Sequence, residues 1–341
     1  MEHTLKASKP TDVTKAGEWA ANALVLLVSI GIAWGAAEAY ISWKIDDGMQ
    51  FDLEMWRYAR AIKRQSANPA IGHEHTPLTR AHLMGADVEI NSQGLRDREF
   101  SIVPPPGRTR IMMLGDSLTF GWGVEGNETY SKVVEGLLRK SGRDVEVINT
   151  GVGNYNTEME VAYFLERGAK FKPQYVVLNY FINDAEPTPR DHSNFLSRNS
   201  RAFVYFASRV DMAMRRVNAG EKKDWKSYYA GLYEGDGNIG RVAAAIERLA
   251  AYCRQNGIKL YLANQPELRD PANYAFPQVD RLIEKIADAN QIKYIPMLPA
   301  VAGLKPETLW VTQPDPHPSP VAHEAFAKEL YKVFDAELKK P

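Results

Sequence analysis

Apolar residues fall along this chain in two regimes. From Ala20 to Ala37 almost every side chain is apolar or small, and only Asn22 and Ser29 break the run. A bilayer core takes about 20 such residues as a helix, and tryptophan favours its boundaries, where Trp19 and Trp43 stand. From Thr109 onward the pattern changes to short apolar runs at 110–114, 145–149, 175–180, 258–263 and 292–296. Stretches with helical periodicity lie between them, at 130–140, 158–169, 239–256 and 277–289. Strands apolar throughout and separated by helices predict a parallel sheet covered on both faces.

Two segments stand outside this alternation. Residues 44–108 read as a connecting region, with a helix over 49–65, a turn at 91–96 joining short strands, and a stiff Pro104-Pro-Pro-Gly107 linker. Residues 185–238 follow the third strand and carry Pro187, Pro189, many aromatics and a glycine-rich stretch from Gly231 to Gly237. A lid or acceptor-binding insertion and a packing elaboration are both open for them. The organisation expected is a cytoplasmic N-terminus (1–19), a transmembrane anchor (20–43), a juxtamembrane connecting region (44–108) and a main domain (109–335) with an insertion (185–238).

Charge orients the anchor. Lys6, Lys9 and Lys15 precede it, whereas Asp46, Asp47, Asp52 and Glu54 follow. Lysine and arginine prefer the cytoplasmic side, so a single-pass inner-membrane protein with a periplasmic domain is expected. Gly35-Ala36-Ala37 keeps a cleaved signal peptide open as the alternative.

Over all 341 residues, 42 Lys and Arg balance 42 Asp and Glu, which gives no reason to expect nucleic acid as a partner. The single cysteine, Cys253, excludes an internal disulfide framework and reads as a buried helix thiol.

The chemistry concentrates after the first strand of the main domain. Its apolar run ends abruptly in Gly115-Asp116-Ser117, where a tight turn would lift the Ser117 hydroxyl above the sheet edge. Ser117, Asn154 and Asn183 each follow a strand, so all three fall on the C-terminal edge where parallel sheets bind ligands. A serine nucleophile needs a base, a group to orient that base, and donors for the oxyanion. Asp315-Pro-His317 can supply the first two, because both residues precede proline and extended backbone puts residues two apart on one side. Asn183 can offer its side-chain amide to the oxyanion and Asn154 its backbone N–H. Ser319-Pro320 reads as the start of the last helix. The other histidines read otherwise: His323 as packing, and His73, Glu74, His75 and His82 as lacking the spacing of a metal site.

Taken in order, these blocks resemble the GDSL/SGNH hydrolase family. Gly115-Asp116-Ser117-Leu118 is similar to its first block, 149–154 to its second, Asn183-Asp184 to its third and Asp315/His317 to its last, over roughly residues 109–335. The resemblance implies a flavodoxin-like three-layer α/β/α sandwich. It implies Ser117 as nucleophile, His317 as base, Asp315 as its partner, and the Ser117 N–H, the Asn154 N–H and the Asn183 side chain as oxyanion donors. No metal or organic cofactor is implied. Three departures stand out: Asn154 replaces the second-block glycine, Phe181 replaces the third-block glycine, and one residue rather than two separates Asp315 from His317.

The leading expectation is a serine esterase removing acyl groups, foremost acetyl, from a carbohydrate or other envelope molecule. The second is an O-acyltransferase working on an envelope polysaccharide beside a membrane acyltransferase partner. The third is a non-catalytic envelope binding protein on a hydrolase scaffold.

Overall fold

The structure, a computed structural model, describes residues 12–188, 194–218, 224–313 and 316–339. It opens with α1 (Asp12–Tyr40), continued by a π-helical turn (Ile41–Ile45), and α2 (Phe51–Ala61). Two hairpins follow, β1 (Lys63–Gln65) with β2 (His73–His75) and β3 (Arg80–Leu83) with β4 (Ala86–Glu89). The main domain runs through β5 (Thr109–Leu114), α3 (Ser117–Phe120), α4 (Tyr130–Lys140), β6 (Val145–Asn149), α5 (Thr157–Glu166) and β7 (Tyr175–Tyr180). Then come α6 (Phe195–Asn199), α7 (Arg201–Asn218), α8 (Trp225–Leu232), α9 (Asp236–Gln255) and β8 (Lys259–Asn264). It closes with α10 (Pro277–Ala289), β9 (Lys293–Pro296), α11 (Leu298–Val301) and α12 (Pro320–Glu337).

The five longer strands form one parallel sheet in the order β6-β5-β7-β8-β9, the flavodoxin-like order. Alternation along each strand divides its side chains between two cores. Ile111 and Met113 of β5 pack with α4 and α12 through Tyr130, Val134, Phe326 and Leu330. Met112 and Leu114 pack on the other face with Met159 and Phe164 of α5 and Ile246 and Leu249 of α9. Three layers follow directly from strands that are apolar on both sides. β5 lies between β6 and β7, so its C-terminal end opens at the point where the strand order reverses, the usual ligand position in such sheets.

Differences from the sequence reading are local. The periodic stretch over 158–169 breaks after Glu166, and a 3-10 turn (Gly168–Phe171) finishes it. The turn at 91–96 follows the second hairpin instead of joining strands; Asn91 Oδ1 accepts from the Gln93 and Leu95 N–H groups and closes it. Residues 44–108 are more than a connector. The buried Arg96 guanidinium donates to the carbonyls of Phe120, Gly121 and Val124, and Asp97 accepts from Lys132 Nζ and the Asn149 N–H. Within the insertion, α8 packs Trp225, Tyr229 and Leu232 onto the core, whereas α7 packs against α2 and the end of α1. α1 is an N-terminal apolar helix long enough to cross a membrane, and its apolar run is exposed.

Candidate active site

The turn after β5 is dictated by crowding. A Cβ on Gly115 would lie 1.8 Å from Thr119 Oγ1, and one on Gly151 would lie 2.1 Å from the Phe120 backbone nitrogen. Only glycine lets β5 turn into α3 and lets the loop after β6 lie against it. Asp116 caps α3 by accepting from the Leu118 N–H at 2.8 Å, which fixes Ser117 as the first residue of the helix.

His317 arrives from the far end of the chain. Its segment is tied to 308–311: the His317 carbonyl accepts from the Val311 N–H at 3.0 Å, and Ser319 Oγ donates to the Thr308 carbonyl at 2.6 Å. Ser319 also caps α12, as the Ser-Pro pair suggested. The result is a hydrogen bond of 2.8 Å between His317 Nε2 and Ser117 Oγ, across 200 positions of sequence. Phe51 stacks on the imidazole and Trp122 tilts against it, with centroids 6.0 and 6.3 Å away. Ser117 is 8% exposed, so the pair is enclosed yet open to a reacting group. Asp315 lies outside the described residues.

The loop after β6 brings Asn154 to the same edge with φ +66°. This is the left-handed conformation that glycine and asparagine tolerate, which explains how Asn154 can stand where the family has glycine. No hydrogen bond among the described residues consumes its N–H. Phe181 adopts extended backbone, φ −128° and ψ 155°, so glycine is not required there either. Asn183 sits, half-buried, in the 3-10 turn after β7. Asp184 has the local role expected of it: its carboxylate accepts from the Phe181 N–H and Thr157 Oγ1.

Below the edge lies a group of buried acids. Burial pushes Asp116 up to about 6, against the opposing pull of the Leu118 N–H and the charge of His317. Burial holds Glu160 and Asp184 well above the usual carboxylate range, helped at Glu160 by the charge of Asp184 and at Asp184 by the charge of Asp116. Both carboxylate oxygens of Glu160 lack a hydrogen-bond partner.

Motif reasoning missed a supporting shell from residues 44–108. Tyr58 Oη accepts from the Gly153 N–H at 2.9 Å and pairs with His75 Nε2 at 2.6 Å. Lys63 Nζ donates to the Gly153 carbonyl at 2.6 Å and to Asn154 Oδ1 at 2.8 Å. Burial pulls the Lys63 amine down to about 7. His73 Nε2 meets the same carbonyl at 2.9 Å. Thus His73 and His75 serve the Asn154 loop, Glu74 pairs with Arg64 and Arg167, and His82 pairs with Asp87. No group of three or more potential metal ligands comes together among the described residues. His323 is fully buried, stacked on Tyr130 and accepting from its N–H at 3.2 Å. Cys253 is buried, and burial pushes its thiol up to about 12.

A serine–histidine pair on the ligand edge of a doubly wound sheet is the arrangement of a hydrolase that works through a serine. The chain belongs to the GDSL-like lipase/acylhydrolase family, whose sequence profile matches residues 113–325, more than half its length. It is a serine hydrolase of the SGNH type, acting on ester bonds. No curated protein matches the sequence. Among solved structures it is similar to TesA, at 14% identity and a TM-score of 0.45, covering 67% of this chain and 99% of that one. An acetyl-xylooligosaccharide esterase, Axe2 of Geobacillus stearothermophilus, aligns at 17% identity and TM-score 0.44, covering 68% and 95%. The esterase EstA of a Pseudoalteromonas species aligns at 12% identity and TM-score 0.44, covering 68% and 100%.

Proposed function

We propose that this chain is an esterase that cleaves short acyl esters, foremost acetyl, on a carbohydrate of the cell envelope, with Ser117 as nucleophile. The observation that carries this reading is the 2.8 Å hydrogen bond between Ser117 Oγ and His317 Nε2. His317 takes the hydroxyl proton as Oγ bonds to the ester carbonyl carbon, and the carbonyl electron pair moves onto oxygen. The Ser117 N–H, the Asn154 N–H and the Asn183 amide stabilise that oxyanion. Collapse breaks the bond to the alcohol, which leaves with the proton from His317. Water then enters by the same route and frees the acid and the serine. Asp315, two residues before the base, orients His317.

Enclosure favours a short acyl group, since Ser117 is 8% exposed and Phe51 and Trp122 flank His317. Lys63, Asn154 and Asn183 supply a polar rim suited to a hydroxyl-rich substrate. We read α1 as a membrane anchor that holds the catalytic domain on the periplasmic face of the inner membrane. The apolar exposure of the helix and the lysines that precede its apolar run support this placement.

If a sugar hydroxyl replaces water in the second half, the same acyl-enzyme becomes an O-acyltransferase, a reaction suited to a membrane acyltransferase partner. Hydrolysis of p-nitrophenyl acetate by the full-length protein, with and without oligosaccharide acceptors, tests both. Release of acetate with no acetylated sugar supports the esterase. Acetylated sugar at the expense of acetate supports the transferase. A folded protein no faster than its Ser117→Ala variant overturns both.

A further inference from the structure

Helix α7 turns a mixed polar and apolar side inward, with Val204 and Tyr205 packed beside Ala202, and leaves an apolar stripe outside. Arg201 donates to Asp46 at 3.0 Å, and Ser208 and Arg209 both reach Asp52, at 3.0 and 3.1 Å. Ala202 packs against Ile41 and Leu53. On the other side Phe206, Val210 and Met214 recur every four residues and are 46%, 60% and 55% exposed. Ala207 and Ala213 are exposed beside them. A helix facing water presents polar residues outward, so this apolar stripe calls for a cover.

The attachment of α7 indicates which cover. Its first turn is capped by Glu38, in the last turn of α1: the carboxylate accepts from the Arg201 and Ala202 N–H groups at 2.9 and 3.0 Å and from Ser200 Oγ at 2.8 Å. Trp43 and Lys44 stand just beyond and are exposed, as boundary residues are. With α1 as an anchor, the reading on which this step rests, α7 begins at the bilayer–water boundary.

We propose that α7 is an interfacial helix whose Phe206–Val210–Met214 stripe sits in the outer surface of the bilayer that holds α1. The stripe continues an interface that the anchor already makes, and Arg201, Ser208 and Arg209 on the inner side are already bonded by protein. Docking then has a consequence for the site. α2 touches both partners: Asp52 bonds α7, and its neighbour Phe51 stacks on His317. The bilayer contact therefore sets the height of the serine–histidine pair above the membrane.

Full-length protein with a nitroxide on Val28→Cys, Val210→Cys, Met214→Cys or Glu324→Cys, one at a time, tests this in phosphatidylcholine–phosphatidylglycerol vesicles. Power saturation with oxygen and with a water-soluble nickel chelate reads each environment, and ester hydrolysis by each labelled protein checks its fold. Oxygen should dominate at 28, 210 and 214, and nickel at 324. Oxygen dominance at 28 with nickel dominance at 210 and 214 overturns the docking and leaves the anchor standing. Shielding of 210 and 214 from both reagents means a protein cover, such as a second copy, and also overturns it. Nickel dominance at 28 removes the anchor reading and the docking with it.

Discussion

Phe51 and His317 lie 266 positions apart in sequence and stack, ring centroids 6.0 Å apart and planes inclined by 29°. Phe51 begins α2, so a helix adjoining the apolar N-terminal segment forms one wall of the imidazole's site. A stacked ring restricts the swing of the imidazole. Phe51→Ala should therefore lower kcat by roughly tenfold through misplacement of the base, with KM for a small ester little changed. Phe51→Tyr, which keeps the ring, should restore most of the rate. Steady-state kinetics on the three proteins decides. Equal kcat in all three means that the ring is only packing.

Tyr58 governs the loop that carries Asn154. Its hydroxyl is the acceptor for the Gly153 N–H, which is buried. Tyr58→Phe strands that donor, a change that costs about 1–3 kcal/mol. The loop also loses its register, so kcat should fall along with the melting temperature. Thermal unfolding and kinetics on one preparation check both; a lower melting temperature with unchanged kcat would separate the loop from catalysis.

The two asparagines at the edge should respond differently to substitution. In the proposed mechanism Asn154 offers a backbone N–H from a left-handed residue, so Asn154→Gly keeps that geometry and should leave kcat within a few-fold of the native value. Asn154→Val cannot hold φ +66° without strain and should lose both activity and stability. In the proposed mechanism Asn183 offers its side chain to the oxyanion, so Asn183→Ala should lower kcat by about 10²–10³. Comparing kcat across the three variants tests the assignment; a Gly variant as impaired as the Val variant contradicts it.

Acidic groups below the site give the fold a particular pH dependence. Asp116, Asp184 and Glu160 are raised above their ordinary values, chiefly by burial. Between about pH 4 and those raised values the folded chain holds protons that the unfolded chain releases. Their contribution is therefore greatest at low pH and is lost as pH rises. His73, His75 and His323 have the opposite sign, since burial lowers them to about 4, 3 and 3. They are common to both proteins in a comparison of Glu160→Gln with the native chain. The difference in melting temperature should shift in favour of Glu160→Gln from pH 4 to pH 8. A difference independent of pH would mean that Glu160 keeps an ordinary carboxylate pKa.

The sheet was readable from sequence because its strands are apolar on both faces, and observed ends lie within a residue of the periodic runs. Ser117, Asn154 and Asn183 could be placed on one edge because short loops follow their strands directly, whereas His317, 21 residues beyond the last strand, stood out only through the proline-flanked segment before the final helix. The Phe181 and Asn154 departures resolve in backbone angles that a sequence does not display. Residues 44–108 were opaque for a different reason. Arg96, Tyr58 and Lys63 act through bonds to atoms distant in sequence, and such bonds leave no periodic trace. The amphipathic pattern of α7 is written in its sequence, but its outward apolar face depends on Glu38, Asp46 and Asp52 holding the polar side.

Covalent trapping tests the central claim most directly. A fluorophosphonate probe reacts with a serine only where a base activates the hydroxyl and donors accept the developing oxyanion. Peptide mass spectrometry of the full-length protein should place one adduct on Ser117, with labelling abolished in Ser117→Ala and reduced by orders of magnitude in His317→Ala. An adduct on another residue, or equal labelling of native protein and His317→Ala, would contradict a Ser117 acyl-enzyme activated by His317.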